Sequence, residues 1–184
     1  RGRTFSIYVE KALCFPQSYA AASTVLSSIR TIPKALILDL GGFTADYLRI
    51  QNGAGDLSVC DSLENGIISF YNNVISRISS DQDILLEESE IDAIPEGKVE
   101  HVPPAVASAV EQQAQDFIND LFSTLRERGL ELKSGVVVFV GGGSIRLRRQ
   151  IEASGKVGKP LFVDDIQANA KGFEKLYQYT VNGR

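Results

Sequence analysis

The sequence predicts an α/β domain, a mixed sheet of a three-strand meander plus parallel strands with helices on its faces. Three observations carry that prediction. Ala35-Leu36-Ile37-Leu38 and residues 136–140 are short, fully apolar runs, the mark of strands covered on both faces. Residues 43–50 and 57–62 read as strands on either side of Asn52-Gly53, a strong turn signal, with Gly55 close behind. Residues 104–128 repeat apolar side chains at helical spacing, which gives one long amphipathic helix to cover the sheet. An antiparallel meander followed by right-handed helical crossovers yields a mixed sheet between helices.

In chain order, residues 4–15 alternate in the strand manner, with Phe5, Ile7 and Val9 apolar on one side, and Pro16 ends them. Residues 17–29 are rich in Ser and Ala and predict a helix that stops before Pro33. The meander follows. Ile67, Tyr71, Val74, Ile75 and Ile78 then repeat at helical spacing. Residues 81–100 are acidic and weakly patterned, with Glu87, Glu88, Glu90, Asp92 and Glu96, and read as a solvated loop or exposed helix face. Gly129 is the expected C-terminal cap of the long helix. Val136 to Val140 should be a central parallel strand. Residues 144–151 predict a short helix, 161–163 a last strand, and 165–179 a final helix with Asp164 or Asp165 as N-cap.

Composition narrows the function classes. With 43% hydrophobic and 23% charged residues, the 184-residue chain is of ordinary globular make-up and needs no disulfide or metal staple. Its net charge of -4, from 23 acids against 19 bases, argues against broad electrostatic binding to nucleic acid or anionic lipid. Cys14 and Cys60 have no CxxC neighbour and are expected to be buried thiols of a cytoplasmic protein. His101, in a polar loop, is the one histidine, so a histidine-dependent triad has no second candidate base. No apolar run reaches the roughly 20 residues of a membrane span. The chain lacks Met throughout and opens directly into a strand-like segment, as expected of a piece of a longer protein.

Two glycine turns could carry chemistry. In Leu38-Asp39-Leu40-Gly41-Gly42-Phe43-Thr44-Ala45-Asp46, a carboxylate closes a buried strand and two glycines make a tight turn. Such glycines let backbone N–H groups approach phosphate oxygens, and an adjacent Asp suits Mg²⁺, which keeps most of its waters. Val140-Gly141-Gly142-Gly143-Ser144 leaves the end of the predicted central strand, where α/β sheets collect ligands and where missing side chains make room for a flat ring or a phosphate. Each turn can also be read as plain packing. Arg146, Arg148 and Arg149 read as a solvated basic helix face, with a filament or nucleotide contact as the other readings. Asp39 with Asp46 also allows a two-metal nuclease of ribonuclease-H-like type, although such sites want three or four clustered acids.

Taken together, the two turns resemble the actin-like ATPases, most closely the ParM/StbA-type plasmid-segregation actins, whose lobes share the actin and ribonuclease-H-like architecture. Ala168-Asn169-Ala170-Lys171-Gly172-Phe173 is similar to a segment of that branch, and Phe15-Pro16-Gln17-Ser18 resembles the segment with the water-orienting residue. The resemblance implies that Asp39 holds Mg²⁺ through water and that Gly41, Gly42, Phe43 and Thr44 lie at the β- and γ-phosphates. It implies that Gly141, Gly142, Gly143 and Ser144 line the adenine and ribose, and that Gln17 orients the attacking water. Ile145 falls where some relatives place an Arg that stacks on adenine, and Arg146 is adjacent. The family's first phosphate turn, Asp-x-Gly, is absent. Residues 1–33 therefore read as the last strand of a first lobe plus a linking helix. Residues 34–184 read as the second lobe, with a helical insertion around 80–128.

The expectation is thus the nucleotide-binding lobe of an ATPase that takes ATP or GTP with Mg²⁺. Its full-length form would polymerise with itself and reach plasmid DNA through an adaptor protein, with no membrane and no direct nucleic-acid contact. The other class is an assembly or adaptor module of the same fold that holds no nucleotide.

Overall fold

The computed structural model describes residues 2–25, 29–96, 98 and 102–182. His101 lies outside the described residues. A five-stranded sheet has the order β3-β2-β1-β4-β5, built from β1 (Lys34–Leu40), β2 (Ala45–Gln51), β3 (Ala54–Leu63), β4 (Val136–Val140) and β5 (Lys159–Phe162). β1, β2 and β3 pair antiparallel as the meander, whereas β4 lies parallel to β1 and β5 parallel to β4. The mixed sheet expected from the sequence is the sheet observed.

Both faces are covered, which is why β1 and β4 are apolar without alternation. On one face, Leu36, Leu38, Leu40, Val137 and Phe139 pack with α2 (Ile67–Gln82) and α4 (Pro104–Glu127). On the other, Ala35, Ile37, Val136, Val138 and Val140 pack with α1 (Gln17–Ser23) and with Ala168, the first residue of α7 (Ala168–Asn182). α3 (Glu88–Ala93) lies between α2 and α4 in the chain, and α5 (Gly142–Arg146) and α6 (Arg148–Ala153) follow β4.

Local chemistry sets the element ends. α4 starts with Pro104 in its first turn, where a missing N–H is harmless. It stops just before Gly129, whose φ of +79° suits glycine, and the Leu130 N–H closes back on the Leu125 carbonyl. α2 ends where Asp83 turns left-handed at φ 54°. α3 carries a capping box between Glu87 and Glu90.

Several expectations are corrected. Residues 4–15 form no strand, and Phe5, Ile7, Tyr8 and Val9 are largely exposed. A period-two pattern marks a face that could be buried, but a strand also needs a neighbour for its backbone hydrogen bonds, and none of the described strands pairs with this segment. Of the helix expected over 17–29, α1 covers Gln17–Ser23 and Thr24 turns, while residues 26–28 lie outside the described residues. Residues 144–151 belong to two short helices rather than one. Cys14 and Cys60 are free and exposed, not buried. Cys14 lies in the unpaired segment and Cys60 on the edge strand β3.

Candidate functional site

Parity along β1 decides where its one carboxylate goes. Leu36, Leu38 and Leu40 take the α2–α4 face, so Asp39 shares the opposite face with Ala35 and Ile37 and meets α1 and α7. Asp39 is 1% exposed. Its Oδ2 accepts hydrogen bonds from Gln17 Nε2 at 3.2 Å and Asn169 Nδ2 at 2.8 Å. Both donors are neutral amides. Burial pushes the Asp39 carboxyl above its ordinary value, the Asn169 and Gln17 bonds pull the other way, and the nearby charge of Asp46 adds to the rise.

Because β1 and β4 are parallel, their two glycine turns leave the sheet at the same edge. Between them opens a cleft of about 580 Å³. Gly41 and Gly42 line it from the first turn, and Gly142, Gly143 and Arg146 from the second. Ile67, Ile68 and Tyr71 of α2 and the segment holding Glu87, Glu88, Ser89 and Asp92 complete the walls. The first turn also caps α2, whose N-cap Gly66 has no side chain to do so. The Ile67 N–H donates to the Gly41 carbonyl at 3.0 Å and the Ile68 N–H to the Gly42 carbonyl at 2.9 Å.

The glycines of the second turn have different reasons. Gly141 has φ +86°, and a Cβ there would stand 2.5 Å from Asp39 Oδ1. At Gly143 a Cβ would stand 2.6 Å from the Leu40 side chain. Gly142 has neither reason: its φ is ordinary, and a Cβ would meet nothing within 4 Å. Packing within the chain does not require glycine at this point of the cleft wall.

Of the sequence-predicted residues, Gly41, Gly42, Gly142, Gly143 and Arg146 thus come together, and Gln17 joins Asp39 next to the second turn. The rest stand differently. Phe43 is 78% exposed and outside the cleft lining. The Thr44 hydroxyl donates to Asp46 Oδ2 at 3.1 Å. Ser144 is fully buried, and its Oγ has no partner among the described residues. The basic face is not free, since Arg146 pairs with Asp92, Arg148 with Asp164 and Arg149 with Glu111. Asp39 and Asp46 are cross-strand partners, and no group of three or more potential metal-ligating His, Cys, Asp or Glu exists among the described residues.

Sequence reasoning missed two groups. Asn169 lies in the quoted 168–173 segment, but nothing in the sequence alone tied it to Asp39. The acidic stretch, read as a solvated loop or exposed helix face, also supplies a cleft wall, in which Asp92 accepts from the Tyr71 hydroxyl at 2.7 Å and pairs with Arg146. Glu87 and Glu90, spaced as a capping box before Ile91, were the local signal for a helix there. No helix among the described residues is long and apolar enough to cross a membrane.

Known proteins share this architecture. A structure of Ta0583, an archaeal actin homologue in complex with ADP, superposes with a TM-score of 0.63 at 20% identity, covering 89% of this chain and 56% of that one. A non-polymerisable quadruple mutant of pCBH ParM gives 0.65 at 16% identity, over 89% of this chain and 53% of the other. A 15-stranded ParM filament from Clostridium botulinum gives 0.61 at 18%, over 95% and 55%. The chain therefore spans little more than half the length of these relatives, and relatives of this fold form filaments. No curated protein sequence matches. The family model described as "Archaeal actin homologue MreB-like, C-terminal" matches residues 37–153, a span holding both glycine turns and the cleft walls. The actin-like sheet, the two turns at one edge and this match make the chain a member of the archaeal actin homologue MreB-like family, in its C-terminal part.

Proposed function

We propose that the cleft binds a nucleoside di- or triphosphate, ATP or GTP, with Mg²⁺, as part of an ATPase that assembles into filaments. The observation that carries this reading is Gly142, a cleft-wall glycine that neither backbone conformation nor packing explains. Close approach of a ligand supplies the missing reason. The cleft volume falls in the range of small-molecule sites.

The residues take these roles. Gly142 and Gly143, with Gly141 and the Ser144 backbone, form the wall for base and ribose, with Arg146 at its rim. Gly41 and Gly42 with the Thr44 segment stand at the phosphate end. Gln17 ties its amide N–H to Asp39, which leaves Oε1 to accept a hydrogen bond from an attacking water and so orient it. Asp39 fits a hydrated Mg²⁺, because its carboxylate is bonded only by neutral amides and its charge is not neutralised by either. Mg²⁺, when bound there, supplies positive charge for the phosphates. Filament assembly, an adaptor and plasmid segregation extend the reading by analogy with the ParM relatives.

Thermal melting with and without Mg-nucleotide tests it. Ligand at 100 times its dissociation constant adds about 2.7 kcal/mol to stability. A melting temperature unmoved by millimolar Mg-ATP, Mg-ADP and Mg-GTP would leave the assembly module as the better reading.

A further inference from the structure

We propose that Asn169 is a positioning residue for Asp39, which stands behind the second glycine turn rather than in the cleft wall, clamping it from α7 while Gln17 clamps it from α1, so that two helices fix the carboxylate's orientation. Gln17 and Asn169 donate to one oxygen, Oδ2, at 3.2 and 2.8 Å, and so fill its two lone pairs. The clamp joins residues 22 and 130 positions apart in the chain, so it exists only once both helices are docked.

Two further observations support the assignment. To present its N–H to Asp39, the Asn169 amide turns its carbonyl away, and that Oδ1 is buried without a donor among the described residues. Leaving such an acceptor unpaired is unfavourable, so the amide is held in place by its bond to Asp39 against a local penalty. The height of α7 is also fixed. Gly172 abuts α1 so closely that a Cβ would lie 1.8 Å from the Ala20 carbonyl oxygen, and Lys175 Nζ donates to the Ser23 carbonyl at 2.9 Å. Asn169, Gly172 and Lys175 follow one another at intervals of three along one side of α7, so the α1 contact sets how far Asn169 reaches.

The clamp itself is independent of the nucleotide reading, and only its consequence for Mg²⁺ rests on it. In the ligand-free chain, the side-chain amide signals of Asn169 and Gln17 should both move on Asp39→Ala, while that of Asn119, on α4, stays in place. An Asn169 signal that does not respond overturns the proposal. In ADP titrations with and without Mg²⁺, Asn169→Ala should weaken the Mg²⁺-dependent binding about tenfold or more, the scale of losing a partner that orients a ligating carboxylate. Binding of ADP alone should be unchanged, and Asn169→Ser, which keeps a donor, should recover part of the loss. Equal loss with and without Mg²⁺, or no loss, overturns the positioning role. Absence of ADP binding by the unmodified chain would sink the nucleotide reading and leave the amide signals to decide the clamp.

Discussion

Asp39 and Asp46 face each other across the β1–β2 pair, two carboxylates on the same side of the sheet where the strands enter the first glycine turn. Each is served by separate donors: Gln17 and Asn169 for Asp39, Thr44 and Ser62 for Asp46. Like charges directly opposite one another are unfavourable in a sheet, and here one of them is also cut off from water. The fold tolerates this at the edge where the candidate site lies. Burial of an anion whose hydrogen-bond partners carry no positive charge costs stability.

The first prediction follows from the sign of the Asp39 shift. Its folded pKa lies above the 3.8 of an ordinary Asp, so between those values the native state holds more protons than the unfolded one. Stability therefore falls as pH rises through that window, and the deficit persists at neutral pH. Asp39→Asn should raise the melting temperature at neutral pH by a few degrees, the scale of about 1 kcal/mol. The gain should shrink below about pH 4, where the Asp39 carboxyl is protonated in the folded and the unfolded chain alike. Asp46→Asn should give a smaller gain of the same sign. Calorimetric scans at the two pH values decide it, and an Asp39→Asn protein less stable at neutral pH contradicts the argument.

The second prediction separates the glycines of the second turn. Gly142→Ala meets open space inside a helical segment, so it should leave stability unchanged or raise it by about 0.5–1 kcal/mol. The same change should weaken Mg-nucleotide binding. Gly141→Ala forces a positive φ and a clash with Asp39, and should destabilise by about 1–3 kcal/mol. Urea midpoints paired with calorimetric titrations give both numbers. Nucleotide affinity unaffected by Gly142→Ala would remove the main support for the cleft as a ligand site.

The third prediction concerns the helices behind Asp39. Gly172→Ala drives a methyl into the Ala20 carbonyl, which is backbone and cannot swing aside. Overpacking of this kind costs about 1–3 kcal/mol or more. The urea midpoint should drop with an unchanged slope, since the surface exposed on unfolding stays the same.

How much of this was legible in the sequence depends on whether the signal was local. The strands β1 and β4 were readable because burial on both faces leaves no polar position beyond the exposed Lys34 except Asp39, and that exception marked the candidate site. The long helix was readable from its apolar stripe and from Gly129. Residues 4–15 misled because alternation reports a possible buried face and says nothing of a pairing neighbour. Asn169 was opaque for a related reason: its partner lies 130 residues away, and only the docking of α7 on α1 at Gly172 brings the two together. The acidic stretch is the exposed helix face that was one of its two readings, with Glu87 and Glu88 exposed; what its charges alone did not tell is that Arg146 and Tyr71 fold against Asp92.

The last prediction concerns turnover. Phosphoryl transfer depends on positive charge aimed at the phosphates and on a fixed attacking water. Among the described residues that line the cleft, Arg146 is the basic one, and it is paired with Asp92, while Glu87 and Glu88 add negative charge. On the proposed reading Gln17 orients a water through Oε1, but among the described residues no unpaired cationic side chain lines this cleft for the charge that develops at the γ-phosphate. We therefore expect the 184-residue chain to bind Mg-nucleotide no tighter than about the millimolar range, roughly 4 kcal/mol. Phosphate release should match a protein-free control. Raising Mg²⁺ should tighten binding without starting turnover, because the cation shields the ground state and the transition state alike. In a longer form of the protein that does hydrolyse ATP, Gln17→Ala should slow release while sparing binding, and Asp39→Ala should abolish it. A continuous phosphate assay on the 184-residue chain decides the point, since turnover that disappears with Asp39→Ala would show this cleft to be sufficient by itself.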